Sequence, residues 1–175
     1  MNLPNKLTLL RILMIPFCLL LLYLRWDVPA TILFILACLT DFFDGYIARK
    51  QGIVTNFGKF ADPVADKILV VSLMVLLLQQ GRFPWWALCI VIIRELAVDG
   101  LRLVAVEQGI VIPAGMLGKF KTNFQMLGVA AAMLNAPSWI TITLVIILSA
   151  LTVISGLQYF YEGRGLLNPH DKKAH

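Results

Sequence analysis

The chain is expected to be an all-α polytopic membrane protein, with six transmembrane helices and both termini cytoplasmic. Three observations predict this. Of its 175 residues, 59% are hydrophobic and the mean hydropathy is +0.83, more apolar surface than a soluble domain of this size needs. Windows of about 20 residues, long enough to cross a bilayer, can be drawn six times. Lysine and arginine collect on alternate connections. With the amino terminus inside, all but Arg25 and Arg82 of the 15 basic residues fall on the cytoplasmic side.

The spans follow in order. Leu7 to Leu24 is the first. Its apolar core is followed by Tyr23-Leu-Arg25-Trp26-Asp27, which offers no small-residue cleavage site, so it reads as an uncleaved span and not a signal peptide. Pro29 to Arg49 is the second, and Asp62 to Leu78 the third. Gly58 suits a sharp turn before the third span, and Pro63 suits the first turn of its helix. Trp85 to Val106, Phe120 to Leu134 and Trp139 to Tyr161 complete the set, the fifth being the shortest and most polar. Connections are short and no tandem repeat is visible, so residues 1–175 read as one membrane domain. Cys18, Cys38 and Cys89 lie in hydrophobic stretches without metal-ligand spacing and are expected to pack as small apolar residues. The net charge of +5 agrees with an anionic membrane surface and anionic substrates; no nucleic-acid partner is expected.

Four aspartates carry the chemistry. Asp41, Asp44, Asp62 and Asp66 stand three or four apart in two pairs, so each pair shares a helix face. Carboxylates in membrane segments are costly and are kept mostly where they line a site. Two facing pairs would repel without a cation, and hard oxygen ligands suit magnesium, manganese or calcium rather than zinc. Around them the chain reads D-x2-D-G-x2-A-R-x8-G-x3-D-x3-D, from Asp41 through Gly45, Ala48, Arg49 and Gly58 to Asp66. Gly45 and Ala48 fit either close helix packing or close approach of a ligand. Arg49 fits a snorkelling anchor or a phosphate ligand. At the amino terminus, Asn5 and Thr8 fit either a cap of the first helix or a binding element.

This pattern resembles the signature of the CDP-alcohol phosphotransferases, integral membrane enzymes that exchange the CMP of a CDP-linked lipid for an alcohol. The resemblance implies a divalent metal, magnesium or manganese, held by Asp41, Asp44 and Asp62, with Asp66 as base and as a further ligand. Whether one ion or two is bound stays open. It further implies that Asn5, Thr8, Gly45, Ala48, Arg49 and Thr55 bind the CDP-lipid. A homodimer in the cell membrane, its active site facing the cytoplasm, is implied as well.

The acceptor side is written in the fourth and fifth spans. Arg94 and Arg102 lie two helical steps of four apart, and Gly118-Lys119-Phe-Lys121-Thr122 opens the fifth span, with Gln125 one turn beyond Lys121. Lys119 and Lys121 also fit a positive-inside signal, and Glu95 is a candidate local partner for Asn or Lys. The stretch from Arg94 to Arg102, followed by Gly118 to Thr122, looks like the phosphatidylglycerophosphate synthase branch of the family, although Asp99 stands where that branch usually carries a small residue. The resemblance implies transfer of a phosphatidyl group from CDP-diacylglycerol to glycerol 3-phosphate. Arg94, Arg102, Lys119 and Lys121 would then bind the acceptor phosphate. Cardiolipin synthesis is the alternative within the family. A divalent-cation transporter is the alternative from another class, and it is disfavoured because the aspartates lie at one membrane edge and no inverted repeat is visible.

Overall fold

The computed structural model describes the backbone of residues 3–51, 56–108 and 115–164, and the side chains of residues 8–40, 64–108 and 115–164. Among these residues there are six helices and no strand: α1 (Leu3–Tyr23), α2 (Asp27–Gln51), α3 (Asn56–Gln79), α4 (Trp85–Glu107), α5 (Met116–Met133) and α6 (Ser138–Glu162). Each contains or closely overlaps one span expected from hydropathy. Among the described residues, Ser138–Glu162 is the helix both long and apolar enough to cross a membrane by length and composition.

Two expectations about helix starts are corrected. α3 begins at Asn56, so Gly58 and Pro63 lie within the helix and not at its entrance. An interior proline removes one backbone hydrogen bond, which costs less when neighbouring helices or side chains re-satisfy the freed carbonyl. α1 likewise carries Pro16 in its interior. α1 also begins at Leu3, upstream of Asn5 and Thr8, so neither residue stands at the N-cap position.

The chain divides into two compact units. The first comprises residues 1–84 and 129–138, and the second residues 85–128 and 139–175. In the first, α1 packs along both α2 and α3. The buried face of α1 steps Thr8, Arg11, Ile15, Cys18, Leu22, alternating three and four residues as a helix in continuous contact requires. α2 answers with Ala30, Phe34 and Ala37, and α3 with Ala65, Leu69, Leu73 and Leu77. Opposite faces are apolar and exposed: Leu13, Phe17 and Leu20 on α1, Ile32 and Leu36 on α2, Ile68 and Val75 on α3.

Side-chain bonds fix the register of the first unit. Cys18 Sγ donates to the Ala30 carbonyl at 3.4 Å, joining the antiparallel α1 and α2. Gln80, one residue past α3, donates from Nε2 to the Leu22 carbonyl at 3.0 Å and accepts from Arg25 Nη1 at 3.1 Å. The carboxy-terminal ends of α1 and α3 therefore meet, and the two helices run parallel. At the same end, Arg82 makes a bidentate pair with Asp27, at 2.8 and 2.9 Å, and donates to the Met133 carbonyl at 3.2 Å. All three cysteines are free; Cys18 is packed as expected, whereas Cys89 is exposed on α4.

Candidate active site

The polar end of the first unit lies opposite the Arg82–Asp27 pair. Thr8 precedes Leu22 by the same number of residues, 14, as Asp66 precedes Gln80. At 1.5 Å per residue both lie about 21 Å from the Leu22–Gln80 contact, so Thr8 and Asp66 are level on parallel, touching helices. Thr8 is fully buried and Asp66 half-buried, with its Oδ1 shielded from solvent. Arg11, one turn above Thr8 on the same stripe, is fully buried too. All three side chains are engaged in interactions.

The α2 positions follow by the same arithmetic. Asp41 lies as far beyond Ala30 as Leu7 lies before Cys18, which brings the backbone of Asp41 to the level of the start of α1. Positions 41, 44 and 48 extend the Ala30, Phe34, Ala37 stripe in steps of four, three and four. Asp62 is one turn before Asp66 on α3. The backbones of Asn5, Asp41, Asp44, Gly45, Ala48, Arg49 and Asp62 are thus helical; their side chains lie outside the described residues, as does Thr55 altogether. No group of three or more potential metal ligands occurs among the described residues, three of the four aspartates being outside them. A set of four carboxylate positions on α2 and α3 nonetheless fits a hard divalent cation by donor chemistry.

The second unit holds the cations, and it sorts them. Glu95 Oε1 accepts from Arg94 Nη1 at 3.3 Å and from Lys121 Nζ, linking α4 to α5. These groups are largely buried, with Lys121 5% and Glu95 13% exposed at the side chain. Burying charges is tolerated where opposite charges offset them, and Glu95 offsets part of the charge of the two cations here. The Arg94 stem runs close to α6: a Cβ on Gly156 would meet Arg94 Cγ at 3.2 Å, while Arg94 Nη2 lies 3.8 Å from where a Cβ on Gly118 would stand. Arg94 Nε and Gln125 Oε1 are buried without a hydrogen-bond partner among the described residues. Lys119 is exposed.

Arg102 stands apart from that knot. Its Nε donates to the Tyr159 hydroxyl at 2.7 Å, and its Cζ lies 5.2 Å from the Tyr159 ring centroid. Tyr159 is buried with Val98 and Leu101 in one cluster. Just past α6, a Cβ on Gly163 would come within 2.7 Å of Leu101 Cδ2 and 3.2 Å of the Tyr159 carbonyl, so a side chain there would have to displace its neighbours. Of the four cations expected to act together, the structure brings Arg94 and Lys121 to one carboxylate, sends Arg102 to Tyr159, and leaves Lys119 at the surface. Sequence reasoning treated Arg11 only as a positive-inside marker. Its place on the stripe with Thr8 and Ile15 was the signal that could have found it.

Comparison with known proteins completes the picture. Residues 1–155 match the family model described as CDP-alcohol phosphatidyltransferase. The chain is 41% identical to the CDP-diacylglycerol–glycerol-3-phosphate 3-phosphatidyltransferase of Bacillus subtilis, over 91% of this chain and 93% of that one. It is 41% identical to a probable phosphatidylglycerophosphate synthase of Mycobacterium tuberculosis, over 90% of this chain and 79% of that one. It is 39% identical to the CDP-diacylglycerol–glycerol-3-phosphate 3-phosphatidyltransferase of Rickettsia typhi, over 91% and 95%. With most of its length matched and its aspartate motif complete, the chain belongs to the CDP-alcohol phosphatidyltransferase family.

Proposed function

We propose that the protein is a phosphatidyltransferase that moves the phosphatidyl group of CDP-diacylglycerol onto glycerol 3-phosphate, releasing CMP and phosphatidylglycerophosphate. The observation that carries this reading is identity near 40%, over about nine-tenths of the chain, with enzymes of that name. The geometry agrees, because one unit arrays carboxylate positions at a helix end and the other holds cations suited to a phosphorylated acceptor.

In this reading Asp66 takes the proton from the free primary hydroxyl of glycerol 3-phosphate. The hydroxyl oxygen attacks the lipid-side phosphorus, a new P–O bond forms, and the bond to CMP breaks with the electron pair leaving on the CMP phosphate. Asp41, Asp44 and Asp62, with Asp66 beside them, would hold magnesium or manganese, which when bound neutralises the diphosphate and the departing phosphate. Asn5, Thr8, Gly45, Ala48, Arg49 and Thr55 would bind the CDP-lipid. Arg94 and Lys121 would meet the acceptor phosphate as a pair already held by Glu95, with Arg94 Nε as a further donor, and Arg102 and Lys119 would complete its shell.

The six helices would cross the membrane with both termini inside, in the cell membrane and as a homodimer, with the active site facing the cytoplasm. Exposed apolar faces on each helix of the first unit support embedding. So do Trp26, Trp85 and Trp139, all strongly exposed beside helix starts where an interfacial aromatic belt would lie.

The test is purified protein in detergent with CDP-diacylglycerol and radiolabelled glycerol 3-phosphate. Label should enter lipid with one CMP released per label, stop on chelation, and return with added magnesium or manganese. CMP release with phosphatidylglycerol and none with glycerol 3-phosphate would replace this reading by cardiolipin synthesis.

A further inference from the structure

We propose that Tyr159 is a positioning residue for the acceptor: by taking the Nε hydrogen of Arg102, it turns the terminal Nη1/Nη2 edge of that guanidinium outward to receive the phosphate of a phosphorylated alcohol. The inference rests on the reading of Arg102 as a phosphate ligand. It adds a residue beyond the stretch that matches the family model, which ends at residue 155.

The observations are these. Tyr159 is 4% exposed and packed with Val98 and Leu101, so its ring has one place to be. A Cβ on Gly163 would meet Leu101 Cδ2 at 2.7 Å and the Tyr159 carbonyl at 3.2 Å, so the chain just past α6 packs closely on Leu101, a neighbour of the ring. A hydroxyl fixed in this way accepts from Arg102 Nε at 2.7 Å, short for a nitrogen donor and typical of a charge-assisted bond. The guanidinium also lies within cation–π range of the ring.

A guanidinium can grip an oxyanion by its Nε/Nη2 edge or by its Nη1/Nη2 edge. With Nε committed to Tyr159, the second edge is the one left for two parallel bonds, and Arg102 itself is exposed, so that edge is reachable. An arginine loses much rotamer freedom when it clamps a ligand, and one already held by a buried partner loses less. Arg94, by contrast, gives an Nη atom to Glu95 within the protein.

The experiment uses the full chain in detergent and compares parent, Tyr159→Phe, Arg102→Met and the double variant. Glycerol 3-phosphate is varied at saturating CDP-diacylglycerol, and the reverse. Phenylalanine keeps the ring and its packing and removes only the acceptor oxygen. Tyr159→Phe should raise KM for glycerol 3-phosphate by about tenfold, as expected for loss of a hydrogen bond to a charged group, leaving kcat and the KM for CDP-diacylglycerol unchanged. Arg102→Met should raise it at least as far, and Tyr159→Phe should then add nothing, because its effect passes through the missing guanidinium. Equal proportional effects of Tyr159→Phe with and without Arg102, or a rise in KM for both substrates, would mean that the tyrosine serves packing alone and overturn the proposal. A raised KM in Arg102→Met with none in Tyr159→Phe overturns the positioning role while leaving Arg102 a phosphate ligand. No change in Arg102→Met overturns the phosphate reading of Arg102, and the role of Tyr159 with it.

Discussion

The two compact units both put ionisable groups on inward helix faces, but they treat the charge differently. In the first, a 3-4-3-4 stripe that is apolar through Ile15, Cys18 and Leu22 turns polar at Arg11 and Thr8, and the aspartate positions of α2 and α3 cluster at that same end. In the proposed reading these positions would be offset by a divalent cation. In the second unit two of the cations share a carboxylate: Glu95 sits between Arg94 and Lys121, while Arg102, bonded to a tyrosine hydroxyl, and Lys119 are exposed. The difference teaches that carboxylate positions can be gathered at one end of a helix pair, whereas buried cations in the second unit share a carboxylate within the protein.

That division can be broken most directly at Asp66. Asp66→Asn should lower kcat by about a hundred- to ten-thousand-fold, the usual worth of a general base, with little change in KM for CDP-diacylglycerol. CMP release measured under saturating substrates checks it. Loss of donor binding with the bound-state rate intact would make Asp66 a binding residue and move the chemistry elsewhere.

Next in size is Glu95. Its removal takes away a carboxylate shared by two largely buried cations, so Glu95→Ala should destabilise the protein by about 3 kcal/mol, read by thermal or denaturant unfolding in detergent. Adding Lys121→Met should restore much of the loss. If Glu95→Ala unfolds like the parent, the second unit does not depend on internal neutralisation.

Arg102→Met should leave stability within about 0.5 kcal/mol of the parent, as for most exposed positions, and act on the acceptor alone. Glycerol, which has no phosphate, should be a very poor acceptor for the parent and lose little more in the variant. Equal proportional losses for glycerol and glycerol 3-phosphate would show that Arg102 does not read the phosphate.

The smallest effect is expected at Gly156. A methyl there would press on Arg94 Cγ at 3.2 Å, and a flexible stem can shift, so Gly156→Ala should cost about 1 kcal/mol at most. A larger loss, seen as a lowered unfolding temperature, would mean the Arg94 stem is more tightly held than its length suggests.

The helices themselves were legible because a long apolar run has few alternatives to a helix, and α4 and α6 fall within a residue or two of the spans read from hydropathy. The aspartate motif and the family were legible for a different reason, since spacing along one short stretch is a local property. The helix starts were not. Gly58 and Pro63 looked like an entrance, yet α3 extends upstream of both; for Asn5 and Thr8 a cap is one of two readings, and α1 already includes them. Local propensity is a weak vote when neighbouring helices pack along the whole length.

By itself the sequence determined the all-α class, the donor chemistry implied by four aspartates, and the set of cations from which an acceptor site could be drawn. Which cation does what was decided only in three dimensions. Arg94 and Arg102 fall on one face of α4 by their spacing, and Arg94 alone has a glutamate, Glu95, beside it. They differ because α5 brings Lys121 to share Glu95 with the first, and α6 brings Tyr159 to the second. Glu95 is beside Arg94 in the sequence, but which residues of α5 and α6 join each arginine depends on what meets across a packed interface, and that is set by the register of whole helices.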